Sequence, residues 1–216
     1  MFVTAASSNH FKSAKQFIKS LNSAPCIFYD IGLTGAEADE IKMLPVEYRL
    51  FDWSCIPVWG HITAPNAGSY AWKSAIISIV IKENYDILIW CDAGNIILNQ
   101  KELESYVKDV HLYTPDSEGN LQRWSSRACL DGMNISKDMR ENCNMRNAAI
   151  IGFLPGDPDI QTFVEEWKKE CQNPELIQGS RMEHRHDQSI LSCLFHLRGR
   201  SCTTNCIGVA IHRDCD

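Results

Sequence analysis

Apolar residues fall along this chain at two spacings. Short unbroken runs, FVTAA at 2–6, CIFYDIG at 26–32 and ILIW at 87–90, read as strands covered on both faces. Between them, apolar positions recur every three or four residues. Phe11, Ala14, Phe17, Ile18 and Leu21 predict one helix, entered through the turn chemistry of Ser7-Ser8-Asn9. Trp72, Ala75, Ile76, Ile79 and Val80 predict a second, with Ser69 as its N-cap. Ile160, Phe163, Val164, Trp167 and Cys171 predict a third, opened by Asp157 as cap and Pro158 in the first turn. A fourth begins near Asp187 and buries Ile190, Leu191, Leu194 and Phe195. Weaker signals place helices at 36–44 and 101–108, and strands at 48–53, 110–114, 147–154 and 208–212. Residues 54–68, rich in Pro, Gly, Asn and Trp, read as an ordered loop. Residues 115–145 read as polar and irregular, with one short helix near 131–140.

Strands alternating with helices imply an α/β, Rossmann-like domain: a mostly parallel central sheet flanked by helices on both faces. Such sheets bind ligands beyond the carboxyl ends of their strands. Asp92 lies just past the carboxyl end of the strand at 87–90, after Cys91, so its carboxylate is expected to face a ligand cleft. Three common α/β chemistries lack their motifs. No G-x-x-x-x-G-K-[ST] loop supports an ATPase, no G-x-G-x-x-G a dinucleotide oxidoreductase, and no G-x-S-x-G an α/β-hydrolase.

Composition narrows the picture further. The chain has 216 residues, 44% hydrophobic and 22% charged, which suits one sizeable soluble domain spanning 1–216. A formal net charge of −6 argues against a nucleic-acid partner. No run approaches the roughly 20 apolar residues of a membrane span. No charged start followed by an apolar block opens the sequence, and a cytoplasmic location is expected. Of ten cysteines, Cys26, Cys91 and Cys193 sit within apolar runs, as reduced core thiols do. Cys202, Cys206 and Cys215 could instead form a zinc clip or a tail disulfide.

Four motifs then occur in a telling order. Thr4-Ala5-Ala6-Ser7 ends the first strand. SYAWKSAII leads into ILIWCDAGNII. Arg146-Asn147-Ala148-Ala149-Ile150-Ile151-Gly152-Phe153 follows, and Asp187-Gln188-Ser189-Ile190-Leu191 opens a late helix. This order resembles the GT-A class of nucleotide-sugar-dependent glycosyltransferases, nearest in pattern to the glycogenin-like and bacterial galactosyltransferase-like group. The resemblance implies a nucleotide-binding half at 1–114 and a sugar and acceptor half at 115–216. It implies a nucleotide-sugar donor, UDP-linked by family habit, and a glycan or protein hydroxyl as acceptor. It also implies Mn²⁺ or Mg²⁺, held by Asp92 and a returning His212. The pattern departs from the family at one point: Gly94 stands where the Asp-x-Asp motif has its second aspartate, and Asn95 beside it offers an amide oxygen.

The resemblance places Thr4, Ala5, Ala6 and Ser7 against the base and ribose, with Asp30 nearby. Asp187 and Gln188 fall at the reacting sugar, and Asn147 on the acceptor side. Lys73, off the apolar stripe of its helix, and Arg181 and Arg185 are cations able to counter a diphosphate. Trp59, His61 and Tyr70 flank the loop and could stack on a sugar. Two other readings fit the same residues. The altered motif suits an inactive binding relative, and His184, His186 and Asp187 suit a metal-dependent hydrolase.

Overall fold

A computed structural model describes residues 1–63, 67–83 and 85–216; positions 64–66, part of the expected 54–68 loop, lie outside the described residues. The strands are β1 (Phe2–Ala6), β2 (Cys26–Asp30), β3 (Glu47–Leu50), β4 (Leu88–Cys91), β5 (Ile96–Ile97), β6 (Leu112–Tyr113), β7 (Asp116–Asn120), β8 (Asn144–Arg146), β9 (Ile150–Phe153) and β10 (Val209–Ala210). The helices are α1 (Phe11–Ser20), α2 (Gly35–Lys42), α3 (Ala71–Val80), α4 (Gln100–Val110), α5 (Leu121–Trp124), α6 (Arg127–Gly132), α7 (Lys137–Asn142), α8 (Pro158–Cys171), α9 (Pro174–Ile177) and α10 (Asp187–Leu197).

Six strands form the main sheet in the order β3-β2-β1-β4-β9-β6. β1 pairs in parallel with both β2 and β4, and β2 in parallel with β3. β9 runs against its neighbours β4 and β6. Every residue of β1, β2, β4 and β9 is buried, as their unbroken apolar runs require. One face packs on α3, α8 and α10 through residues such as Ile76, Val164, Trp167 and Leu191. The other packs on α1 and α4 through Phe17, Leu103 and Val107. The chain builds outward from β1 to β3, then returns to lay β4 on the far side of β1. That reversal opens a crevice at the carboxyl ends of β1 and β4.

Several local expectations are corrected. Ser69 does not cap α3; Ser69 and Tyr70 adopt left-handed backbone (φ 50° and 59°), and the helix starts at Ala71. Ile79 is 40% exposed rather than core. The third strand stops at Leu50, because Asp52 turns the chain by accepting from the Ser54 amide at 2.9 Å. The strand expected at 110–114 shrinks to 112–113, since α4 runs through Val110 and His111 takes φ 62°. The stretch 115–145 is far from irregular. It holds the β7–β8 hairpin and three short helices whose caps are Asn120, Ser126 and Ser136. A single helix at 131–140 is blocked by Asn134, whose φ is 55°. All ten cysteines are free thiols, so the tail disulfide does not form. Among the described residues, no helix is long and apolar enough to cross a membrane.

Candidate functional site

β4 carries the chain to the crevice and ends in a tight turn. The Asp92 amide still donates to Ala149 O (2.8 Å), extending the β4–β9 ladder, and Asn95 N closes the turn on Asp92 O at 3.0 Å. Asp92 therefore projects from a fixed backbone. Its Oδ1 accepts from Trp90 Nε1, 2.7 Å away, and lies 2.9 Å from Lys73 Nζ. Lys73 enters from α3, whose other face is sealed by α8. It is 4% exposed, and its ammonium also donates to Ala148 O (3.1 Å) and sits 3.5 Å from Asp187 Oδ2. Asp92 and Ala148 thus take two of the three N–H groups of the ammonium, and Asp187 lies at ion-pair distance from it.

Asp187 is the first residue of α10. The residue before it, His186, holds φ 53°, so Asp187 is inside the helix rather than its cap. Its carboxyl group is buried, and Oδ2 has no hydrogen-bond partner. Burial pushes Asp187 up to about 6; Lys73 pulls it back and Asp92 adds to the rise. For Lys73 burial acts downward, but Asp92 and Asp187 outweigh it and hold the ammonium above its ordinary value. A charged lysine thus ties the end of β4 to the start of α10.

These groups lie in a cavity of ≈800 Å³. Of the residues singled out from sequence, Ala5, Ala6, Ser7, Tyr70, Lys73, Asp92, Asn95, Arg181, His184, Arg185, His186, Asp187, Gln188 and His212 line it together. Arg181 also donates to Tyr70 Oη (3.0 Å), and the Arg185 guanidinium stacks 3.9 Å from the Trp124 ring.

Three expected residues stand behind the wall instead. Thr4 is fully buried within the sheet. Asp30 turns inward, its Oδ1 accepting from Gly32 N and Leu33 N (both 2.8 Å) and its Oδ2 from Tyr48 Oη (2.5 Å). Asn147 folds onto its own turn, accepting from Ala149 N at 2.8 Å. That turn has a consequence for the site. It presents the Ala148 carbonyl to Lys73 and the Ala149 carbonyl to the amides of Asp92 and Asn95. Asn147 thus acts on the site through backbone. Trp59 and His61 stay outside the cavity wall, His61 Nε2 bonding to Trp53 O.

The hydrolase reading does not survive the geometry. His184 is fully buried, its Nδ1 accepts from Ser126 N (3.1 Å), and burial with the neighbouring His186 lowers it to about 4. His186 Nδ1 is engaged by Ile177 O at 3.0 Å. Among the described residues, the group of three that brings metal-ligating atoms within 4.8 Å of one another is His10, Asp214 and Asp216, not His184, His186 and Asp187. His10 and Asp214 also line the cavity and were missed from sequence. No spacing rule links positions at opposite ends of a chain.

The sheet order and the site at the β1/β4 crevice invite comparison with solved structures. One match is the WbbM bifunctional glycosyltransferase in its apo form, with TM-score 0.58 and 15% identity over 90% of this chain. Another is galactosyltransferase LgtC, solved in complex with donor and acceptor sugar analogs, with TM-score 0.56 and 16% identity over 94% of this chain. The fold is of the GT-A glycosyltransferase type. This chain spans 37% of the WbbM chain and 72% of the LgtC chain. No protein-family model matches the sequence, and no curated protein matches it.

Proposed function

We propose that this GT-A-type protein is a nucleotide-sugar-dependent glycosyltransferase. It moves a hexose-type sugar from a nucleoside diphosphate, UDP by resemblance, to a hydroxyl acceptor on a glycan or protein. The observation that carries the reading is the buried Lys73, which joins Asp92 at the end of β4 to Asp187 at the start of α10 within one cavity. The neighbours' names support the same class of chemistry.

Breaking a donor's glycosidic bond loads charge onto the diphosphate and leaves the sugar oxocarbenium-like, so both ends need electrostatic stabilisation. Ala5, Ala6 and Ser7 offer small side chains that let a base and ribose approach the backbone. Arg181 and Arg185 bring planar guanidinium groups suited to paired hydrogen bonds with phosphate oxygens. Asp187, once ionised, faces the cationic sugar or orients a sugar hydroxyl, and the Gln188 amide fixes the ring. Lys73, buried between the two carboxylates, serves as a positioning residue that sets the distance between them. The donor set suits a hard divalent cation: carboxylate, imidazole, and the buried Asn95 Oδ1, which has no partner. Asp92 and His212 would hold Mn²⁺ or Mg²⁺, which would neutralise diphosphate charge.

UDP release from UDP-glucose and UDP-galactose tests the reading. Asp187→Asn should retain UDP binding and lose turnover by about 100-fold or more. UDP binding by the wild type with no release from any nucleotide sugar would contradict transfer and point to an inactive binding relative.

A further inference from the structure

Gly94 occupies the 92–95 turn where the resembling enzymes carry a second carboxylate. Its φ is not in the left-handed region, so the backbone itself does not demand glycine. Space does. A Cβ built on Gly94 would lie 2.2 Å from Asp214 Oδ1 and 2.5 Å from the Asp214 carboxyl carbon. The volume that a side chain at 94 would fill is taken by a carboxyl group arriving from the C-terminal tail.

This approach is held by a series of bonds. Arg213 N donates to Gly94 O at 2.6 Å, and Gln16 Nε2 donates to Arg213 O at 2.8 Å. Cys215 N donates to Ser13 Oγ at 2.9 Å. The Asp216 carboxylate then accepts from Lys12 N (2.7 Å) and Ser13 N in the first turn of α1, where helix amides favour an anion. Asp216 is thereby engaged as an anchor, and Asp214 is left over the turn. His10 Nδ1 lies 3.5 Å from Asp214 Oδ1 and 3.8 Å from Asp216 Oδ2. Asp92, Asn95, His10 and Asp214 line the same cavity, and the Asn95 side-chain oxygen is buried without a partner.

We infer that the tail supplies the carboxylate that the strand turn lacks, so that Asp214, with His10 and Asp216, whose ligand atoms lie within 4.8 Å of one another, holds a divalent oxygen-seeking cation in the cavity that Asp92 also lines. The inference rests on the donor-binding reading of the cavity. It explains why glycine stands at 94: an aspartate there would collide with the one that replaces it. The two carboxylates of Asp214 and Asp216 and the His10 imidazole match the donors that Mn²⁺ and Mg²⁺ accept.

The test is Mn²⁺ binding followed by the loss of the free-ion electron paramagnetic resonance signal, with and without UDP. UDP binding to the same samples is measured by calorimetry. Even outer-shell changes cost about 10–100-fold in metal affinity, and Asp214→Ala should cost no less. Gly94→Asp combined with Asp214→Ala returns a carboxylate to the turn and should recover most of that loss. Asp214 is half exposed, so its replacement leaves the core intact. Equal Mn²⁺ affinity in wild type and Asp214→Ala, or no Mn²⁺ binding by the wild type, would overturn the assignment while UDP binding still upheld the donor reading. Tail-dependent Mn²⁺ binding without any UDP binding would instead sink the donor reading and leave the ligand assignment standing.

Discussion

Asp187 and Lys73 form a buried pair whose charge state bears on stability. An aspartate has a reference value of 3.8, and burial raises Asp187 to about 6 in the fold. The folded protein therefore holds that proton more tightly than the unfolded chain. The resulting stabilisation is complete below about pH 4 and is lost as pH rises to about 6. Urea unfolding at pH 4.5 and 7.5 should show the wild type losing more stability with rising pH than Asp187→Asn does, by on the order of 2 kcal/mol. Equal changes would show that Asp187 is not raised. Lys73→Met removes the cation between two carboxylates. Breaking a fully buried pair costs about 3–5 kcal/mol, but Asp92 is 39% exposed, so roughly 2–3 kcal/mol is expected from denaturant curves. The placement of Asp92 and Asp187 at the cavity was legible in the sequence, because each carboxylate sits where an apolar element meets a loop. The burial of Lys73 was not. Its helix reads as one-sided, whereas α8 and the sheet together cover nearly all of α3.

At the scale of elements, apolar spacing identified each strand of the main sheet and α1, α3, α4, α8 and α10, because all of these except the exposed edge strand β3 bury a continuous face. It failed where short polar elements are held by side chains instead. The β7–β8 hairpin is pinned by Arg146, which pairs with Asp116 and also reaches the Thr114 carbonyl. Helices α5 to α7 depend on caps rather than on a long apolar stripe. Close packing between elements brings its own test. A Cβ on Gly152 of β9 would lie 2.2 Å from Val107 Cγ2 of α4. Gly152→Ala should force that helix off the sheet and cost about 1–3 kcal/mol of unfolding free energy, read from the shift in urea midpoint. A midpoint unchanged from wild type would mean that α4 does not sit so tightly on β9.

Across the whole molecule, two apolar cores on opposite faces hold the sheet, and the polar groups gather at one end of it. Strand order explains this. The reversal between β1 and β4 leaves a crevice that neither core fills, and the loops after β1 and β4 and the turn before β9 meet there with α10. The tail crosses the molecule to reach the same place, with β10 pairing on β5 and Asp216 seated on α1. A net charge of −6 makes the cations of this cavity, Lys73, Arg181 and Arg185, more telling, since they stand against the average of the chain. The central claim is that this crevice binds the pyrophosphate of a nucleotide sugar. Calorimetric titration with UDP, in the presence and absence of Mn²⁺, addresses it directly. Saturable one-to-one binding, weakened by Asp92→Asn, is the expected result. Silence with every common nucleoside diphosphate, with and without metal, would contradict the account.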